Sequence, residues 1–383
     1  MTNGRVYIRY ADSYELAPLV EKVRDIFTWS GMAQRVTPAC TILLKPNMLS
    51  RSAPEKAVTT HPAVVERVII CLKELGADPA KITVADSSGG TVNAAVLRGN
   101  YRTCGFEDVC ERQGAFLYVE QKGVTVKTDG VMVKEFELIE PAVECDIKIS
   151  LAKFKTHVMT GMSGAVKNLF GTVPGLKKAE FHMRFPDRDN FSNMMVDLCE
   201  TVRPDLTIID GILGMEGDGP GGGNPRRFNV LLAGCDPYTV DLAICRMMDA
   251  LPSSFPIMKA AIDRGLAAEV FDTGLLDGEV ELCEPIPDFL RPKSYSVDFS
   301  DHLPAFLRWA APVVEGFMVP RPKIDRSRCI GCGRCRDICP QKTITIKDKK
   351  ASIDPSGCIR CFCCHEMCPV KAIKVKRRGF FNI

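Results

Sequence analysis

Eight cysteines near the end of the chain share one spacing, written twice. Cys329, Cys332, Cys335, Cys339 and Pro340 spell C-x2-C-x2-C-x3-C-P, and Cys358, Cys361, Cys364, Cys368 and Pro369 repeat it. This constrains the fold more than any other feature. Three closely spaced thiolates wrap one iron–sulfur cube, and the fourth, held away by the following proline, reaches the other cube. The expected ligand sets are Cys329, Cys332, Cys335 with Cys368, and Cys358, Cys361, Cys364 with Cys339, holding two [4Fe-4S] clusters. A pair of zinc knuckles is the competing reading, but zinc uses four ligands from C-x2-C pairs rather than two copies of this longer pattern. Cys363 lies between two ligands and is expected to be a small apolar filler.

Short strand-like runs follow each motif, TITIK (343–347) and AIKVK (372–376). Together they fit the pseudo-symmetric bacterial two-cluster ferredoxin module. Residues 321–383 hold 16 Lys and Arg against 5 Asp and Glu, a net of +11, whereas the rest of the chain nets −8. Two cubes of about −2 each offset about four of those positive charges. The remainder suits an acidic redox partner, such as a ferredoxin, a flavodoxin or a reductase, or the acidic body of the same chain. No helix-turn-helix or aromatic stacking pattern accompanies the charge, so no nucleic-acid partner is expected.

The other 320 or so residues, roughly, suffice for a sizeable core. The runs TILL (41–44), KITVAD (81–86), CDIKISL (145–151), LTIID (206–210) and FNVLLAG (228–234) read as buried strands. Helix-like stretches at 62–75, 190–202 and 237–251 alternate with them. Such alternation predicts an α/β domain with a mostly parallel sheet flanked by helices, alongside the small α+β module. The expected boundaries are 1–285 for the α/β domain, 286–322 for a Pro-rich connector with one short helix, and 323–383 for the cluster module. The N-terminus carries no apolar secretory run, and FLRWAAPVVEGFMV is too short and too broken by charge to span a bilayer. Eighteen cysteines, eight in a pattern that disulfides do not require, favour a reducing cytoplasm.

In open α/β sheets ligands bind outside the carboxyl ends of the strands. Several expected strands end there in polar groups: Lys45-Pro46-Asn47, Asp86-Ser87-Ser88-Gly89-Gly90 and Asp210-Gly211. The run from Cys145 is the most informative. Ile147, Ile149, Leu151, Lys153, Lys155 and His157 share one strand face if the strand stays regular. That face would change from core to two lysines and a histidine at its exit. The alternative ends the strand at Leu151 and leaves Lys153 in a solvated loop. The window 147–179 contains Lys148, Lys153, Lys155, Lys167, Lys177 and Lys178 but no carboxylate. Thr160 to Gly164 reads as a turn, and a helix opening near Ser163 would offer a further anion site at its N-terminus. An anionic small molecule is the expected ligand.

The run KFKTHVMTGMSGAVKNLFGTVPG, followed by Lys178 and His182, resembles the signature of the DUF362 family. So do DGILGMEGDGPGGGNPRRF (210–228), LAGCDPYTVDLAICRMM (232–248) with Asp241, KPN (45–47), Thr60-His61-Pro62 and Asp86. The resemblance covers about residues 40–250, and many members of that family carry a C-terminal two-cluster ferredoxin module. It implies an architecture more than a reaction. It points to Lys155, Thr156, His157, Lys167, Asn168, Lys178, His182, Glu216 and Asp218 as site residues. Lys155, Lys167 and Lys178 would clamp phosphate or carboxylate groups, with Lys45, Asn47, Thr156, Asn168 and Glu216 also binding substrate. Lys155, His157, His182 and Asp218 are the catalytic candidates, the imidazoles as acid or base groups. Metal ligation by the histidines with Glu216 or Asp218 is the alternative, and structural core histidines are another.

Gly217-Asp-Gly219-Pro-Gly221-Gly222 formally spells G-x-G-x-x-G, but Pro220 and the following Asn224-Pro225-Arg226-Arg227 argue against a dinucleotide fingerprint. The loop reads instead as a flexible lid or pocket wall, with Arg226 and Arg227 as anion contacts. No flavin fingerprint is present, and a flavin or a metal in the large domain stays open. The sequence thus favours an iron–sulfur oxidoreductase that passes low-potential electrons to an anion held by lysines and histidines. A carrier or assembly partner without its own substrate, and an acid–base enzyme whose clusters sense redox state, remain alternatives.

Overall fold

The computed structural model describes residues 4–89, 93–292 and 320–376. The short helix expected in the connector falls on 293–319, and Gly90 of the Asp86 strand end on 90–92; both lie outside the described residues.

Nine strands form the central sheet of the large domain. In chain order they are β1 (Val6–Tyr10), β2 (Ile42–Pro46), β3 (Ile82–Val84), β4 (Phe116–Leu117), then, after the separate hairpin β5 (Gly123–Lys127) and β6 (Glu135–Ile139), β7 (Ile147–His157), β8 (Gly161–Met162), β9 (Leu206–Glu216), β10 (Asn224–Gly234) and β11 (Leu276–Gly278). The order across the sheet is β11-β1-β10-β9-β7-β2-β3-β4, with β8 attached to β7. From β9 to β4 every neighbour is parallel, while β10 runs antiparallel to both β9 and β1. The sheet is therefore mostly parallel, as the alternating elements predict.

Period two explains how β7 serves both faces. Ile147, Ile149 and Leu151 pack into the core under the helices Leu16–Ser30 and Pro62–Glu74. Ala152 and Phe154 pack on the opposite side, with the helices Pro237–Met247 and Pro256–Asp263. These helices start where local chemistry dictates. Pro62 and Pro237 occupy first-turn positions where no N–H is needed, and His61 Nδ1 and the Asp236 carboxylate accept backbone N–H groups just beyond.

β7 continues through His157, which excludes the alternative that ends it at Leu151, and Lys153 is fully buried rather than solvated. One expectation changes. β9 and β10 are each longer than the apolar runs suggest, because Leu213 to Glu216 pair with Asn224 to Arg227 across the hairpin. The expected lid thus shrinks to the turn 217–223. The N-terminal strand β1 and the hairpin β5–β6 had no reading in sequence.

In the module, β12 (Arg321–Ile324) pairs with β15 (Ile373–Lys376), and β13 (Ile344–Lys347) with β14 (Lys350–Ile353). Short helices, Arg334–Asp337 and Cys363–Glu366, lie within the two cysteine motifs. The module rests on the turn 217–223. His365 Nε2 lies 3.2 Å from the Asp218 carbonyl and Lys371 Nζ donates to the Gly223 carbonyl at 3.1 Å. A Cβ at Gly222 would lie 2.8 Å from the His365 ring, so only glycine permits this approach.

Candidate functional site

The carboxyl ends of β2 and β7 carry lysines into the interior. Lys45 is 2% exposed and pairs with Asp86 at the end of β3, with a further bond of 2.8 Å to the Pro46 carbonyl. Burial drives both partners toward their neutral forms, and their mutual attraction opposes it. Lys153 pairs with Asp210 at 2.7 Å, and Tyr14 donates to the same carboxylate at 2.9 Å. These two lysines are thus neutralised by protein carboxylates.

Lys155 is different. Its Nζ donates to Asn47 Oδ1 and to the Val58 carbonyl, both at 2.7 Å, and neither acceptor is an anion. Burial lowers its pKa to about 7. Lys178, on the helix Gly175–Arg184, donates to the Ser87 carbonyl, and burial likewise brings it to about 7. Lys167 is half-buried. Its Nζ lies 5.3 Å from the centre of the Phe170 ring and 5.8 Å from that of Phe191, and it makes no ion pair among the described residues.

His157 Nδ1 accepts the N–H of Met159 at 3.1 Å, so the neutral ring carries its hydrogen on Nε2, which points at Glu366 Oε1, 3.1 Å away. Burial and the nearby Lys167 push its pKa down to about 4. His182 stacks on Phe191 at 4.6 Å, its Nδ1 has no partner, and burial lowers it to about 3. Both imidazoles are neutral near pH 7.

These groups line one cavity of about 750 Å³, part of it open to solvent. Asn47, Lys155, His157, Lys167, Asn168, Lys178 and His182 all face it. The opposite wall belongs to the cysteine module: Ile338, Cys363, Glu366 and Met367. Cys363, read from sequence as a filler, is buried and faces this cavity.

Two smaller cavities lie in the module. Cys329, Cys332, Cys335 and Cys368 line the first, and Cys339, Cys358, Cys361 and Cys364 the second. The crossed grouping expected from the spacing is therefore present in space. Among the described residues no three His, Cys, Asp or Glu converge tightly enough for a single metal ion. Four thiols spread around a mainly apolar void instead suit a larger inorganic cube.

The chain matches the model described as a domain of unknown function, DUF362, over residues 42–246, and that of a 4Fe-4S dicluster domain over 321–369. It belongs to the DUF362 family. A thylakoid-associated protein of Synechocystis sp. is 33% identical over 258 residues, covering 67% of this chain and 78% of that protein. Likeness to solved structures is weaker. The lactate racemase apoprotein from Thermoanaerobacterium thermosaccharolyticum aligns with a TM-score of 0.40 at 13% identity, over 64% of this chain and 57% of that one. A protein from Thermotoga maritima aligns with a TM-score of 0.36 at 15% identity, over 67% of this chain and 61% of that one. In both cases the chain spans less than two thirds of the solved structure.

Within this DUF362 domain several expected site residues stand away from the cavity. Glu216 pairs with Arg226 at 2.8 Å and accepts the Leu290 N–H, so neither charge is available to a ligand. Arg227 donates to the Asp12 carbonyl. Asp218 contributes its backbone carbonyl to His365 and is not among the cavity residues. Thr156 is buried against Gly219, and Lys45 lies behind its partner Asp86, which itself lines the cavity.

The anion site expected at the helix Gly164–Asn168 is also corrected. The Asp241 carboxylate already accepts the N–H groups of Ala165 at 2.6 Å and Val166 at 3.0 Å, and Ser163 makes no side-chain cap. Gly164, with φ of 56°, lets that carboxylate approach. The residue that sequence reasoning missed is Glu366. Its only signal was a carboxylate inside a cysteine motif, between ligand positions that the cluster spacing already explains. Among the described residues no helix is long and apolar enough to cross a membrane.

Proposed function

We propose that this DUF362 protein is an iron–sulfur oxidoreductase that delivers electrons to an anionic substrate or cofactor in the cavity between its two parts. One observation carries the reading: the cavity lined by Lys155, Lys167, Lys178, His157 and His182 is walled on its other side by the cysteine module itself. An anion site and an electron source share a boundary.

Two [4Fe-4S] clusters fit the two thiol-lined cavities, one held by Cys329, Cys332, Cys335 and Cys368, the other by Cys339, Cys358, Cys361 and Cys364. When bound, they supply one-electron storage and transfer. The large domain's own residues do the rest. Lys167 adds a third amine, whose charged form burial disfavours and the Glu366 carboxylate favours. Lys155 and Lys178 take up protons when an anion enters, which stabilises their charged forms. His157, neutral and hydrogen-bonded through Nε2–H to Glu366, joins the large domain's side of the cavity to the module's side. His182 offers a neutral ring within the same wall and accepts or returns a proton as the bound molecule changes charge. The aromatic faces of Phe170 and Phe191 hold Lys167 by cation–π attraction. A reducing cytoplasm suits the exposed cluster chemistry.

The test is anaerobic purification followed by absorbance and mass spectrometry of what co-purifies, together with Cys358→Ala. Turnover of the identified molecule should vanish in the variant while its binding persists. Turnover that survives without clusters refutes an oxidoreductase and favours acid–base chemistry.

A further inference from the structure

The two thiol-lined cavities are not equivalent. The set of Cys339, Cys358, Cys361 and Cys364 lies against the large domain. Cys361 and Cys364 flank Cys363, which faces the basic cavity, and Cys339 follows Ile338, which faces it too. Phe362, a wall of the same thiol-lined cavity, is 2% exposed and packs against Val158, the residue after His157. The set of Cys329, Cys332, Cys335 and Cys368 approaches the basic cavity only through Cys368, next to Met367. Its far side reaches solvent: Cys332 is exposed and Ile330 is 60% exposed.

The rim of that outer side is basic. Arg328, Arg334, Arg336 and Lys349 are all exposed, and the Lys349 backbone packs on Gly331 beside Ile330. Asp337 offsets one of them through Arg336 at 2.8 Å. An apolar tip at a thin covering, ringed by positive charge, fits a negatively charged protein surface.

We infer that the Ile330–Cys332 edge is the docking face for an acidic one-electron carrier protein, and that the Cys329, Cys332, Cys335, Cys368 set receives the electron before the inner set. This rests on the two-cluster reading above. In each encounter the reduced carrier loses one electron and is released oxidised, and the outer site gains that electron. A second encounter supplies the second electron when the bound molecule needs a pair. No bond forms or breaks at the docking face.

The experiment uses the full chain loaded with iron and sulfide, and a chemically reduced acidic flavodoxin as the probe. Stopped-flow bleaching of cluster absorbance gives the second-order rate against ionic strength. Arg334→Glu combined with Lys349→Glu should lower that rate by about tenfold or more at low salt and flatten its salt dependence. Lys127→Glu, on the exposed edge of β5, should leave it unchanged. Dithionite reduction and the electron paramagnetic resonance of both clusters should match the parent in every variant. Equal rates in parent and double variant overturn the docking face, as does an equal loss in Lys127→Glu. A parent with fewer than two reducible clusters overturns the two-cluster reading itself, and the order of electron entry with it.

Discussion

Anion binding at the basic cavity should be coupled to proton uptake, and the structure sets its size. Lys155 and Lys178 each titrate near pH 7 because burial removes water from their ammonium groups while their acceptors, Asn47 Oδ1, the Val58 carbonyl and the Ser87 carbonyl, carry no charge. At pH 7 each is about half protonated. An anion in contact with both needs both charged, so binding takes up about one proton at that pH. The sign follows directly: affinity is greatest below pH 7 and falls as pH rises through it. Above pH 7 each lysine contributes up to about tenfold per pH unit, so the pair contributes about 100-fold per unit. Sulfate is the clean probe because its own charge is constant between pH 6 and 9. Isothermal titration in two buffers of different ionisation enthalpy counts the protons. Lys155→Met should reduce the uptake to about half a proton. Sulfate affinity that is flat from pH 6 to 9, or uptake unchanged in Lys155→Met, refutes the argument.

Asp86→Ala leaves Lys45 buried without its carboxylate and should cost about 3–5 kcal/mol in chemical denaturation. Asp241→Ala exposes two buried N–H groups at the start of the Gly164–Asn168 helix and should cost about 1–3 kcal/mol, with weaker sulfate binding because Lys167 sits on that helix. Cys363→Ser should keep the full iron content, since its side chain faces the basic cavity, whereas Cys358→Ala should lose iron by elemental analysis.

What was legible in sequence divides by the range of the interaction. The cysteine spacing carries its own geometry, and the crossed grouping of thiols in space follows it. The parity of Ile147 through His157 put Lys155 and His157 at a strand's carboxyl end, where they are found. What failed needed partners distant in sequence. Nothing near Lys153 announces Asp210, and nothing near Glu216 announces that Arg226, ten residues on, returns beside it in a hairpin. The loop 217–223 reads as a flexible lid or a pocket wall; Pro220 does line the cavity, while Gly222 lets His365 approach, which no local signal announced. Asp241 was marked only by family resemblance, and its role at the Gly164–Asn168 helix came from packing. Glu366 lay hidden inside a motif whose other residues had a complete explanation.

The module is therefore part of the pocket rather than an appendage, and this can be tested at a residue outside both sites. Gly222 meets the His365 ring and the Asp218 carbonyl, with 2.8 and 2.9 Å to a Cβ placed there. Valine at this position cannot be accommodated without moving the module off the turn, because a real Cβ needs more room on both sides. Glu366 would then draw away from His157, removing a charge that raises both lysines, but water would reach Lys155 and Lys178 and relieve the larger effect of burial. Hydration returns buried lysines toward their ordinary value of about 10.4. Gly222→Val should consequently bind sulfate with little pH dependence between 6 and 9, and with proton uptake near zero, while its cluster absorbance stays that of the parent. If the steep pH dependence persists in Gly222→Val, the lysines owe their low pKa to the large domain alone. The wall that the module contributes to the basic cavity would then have no energetic consequence.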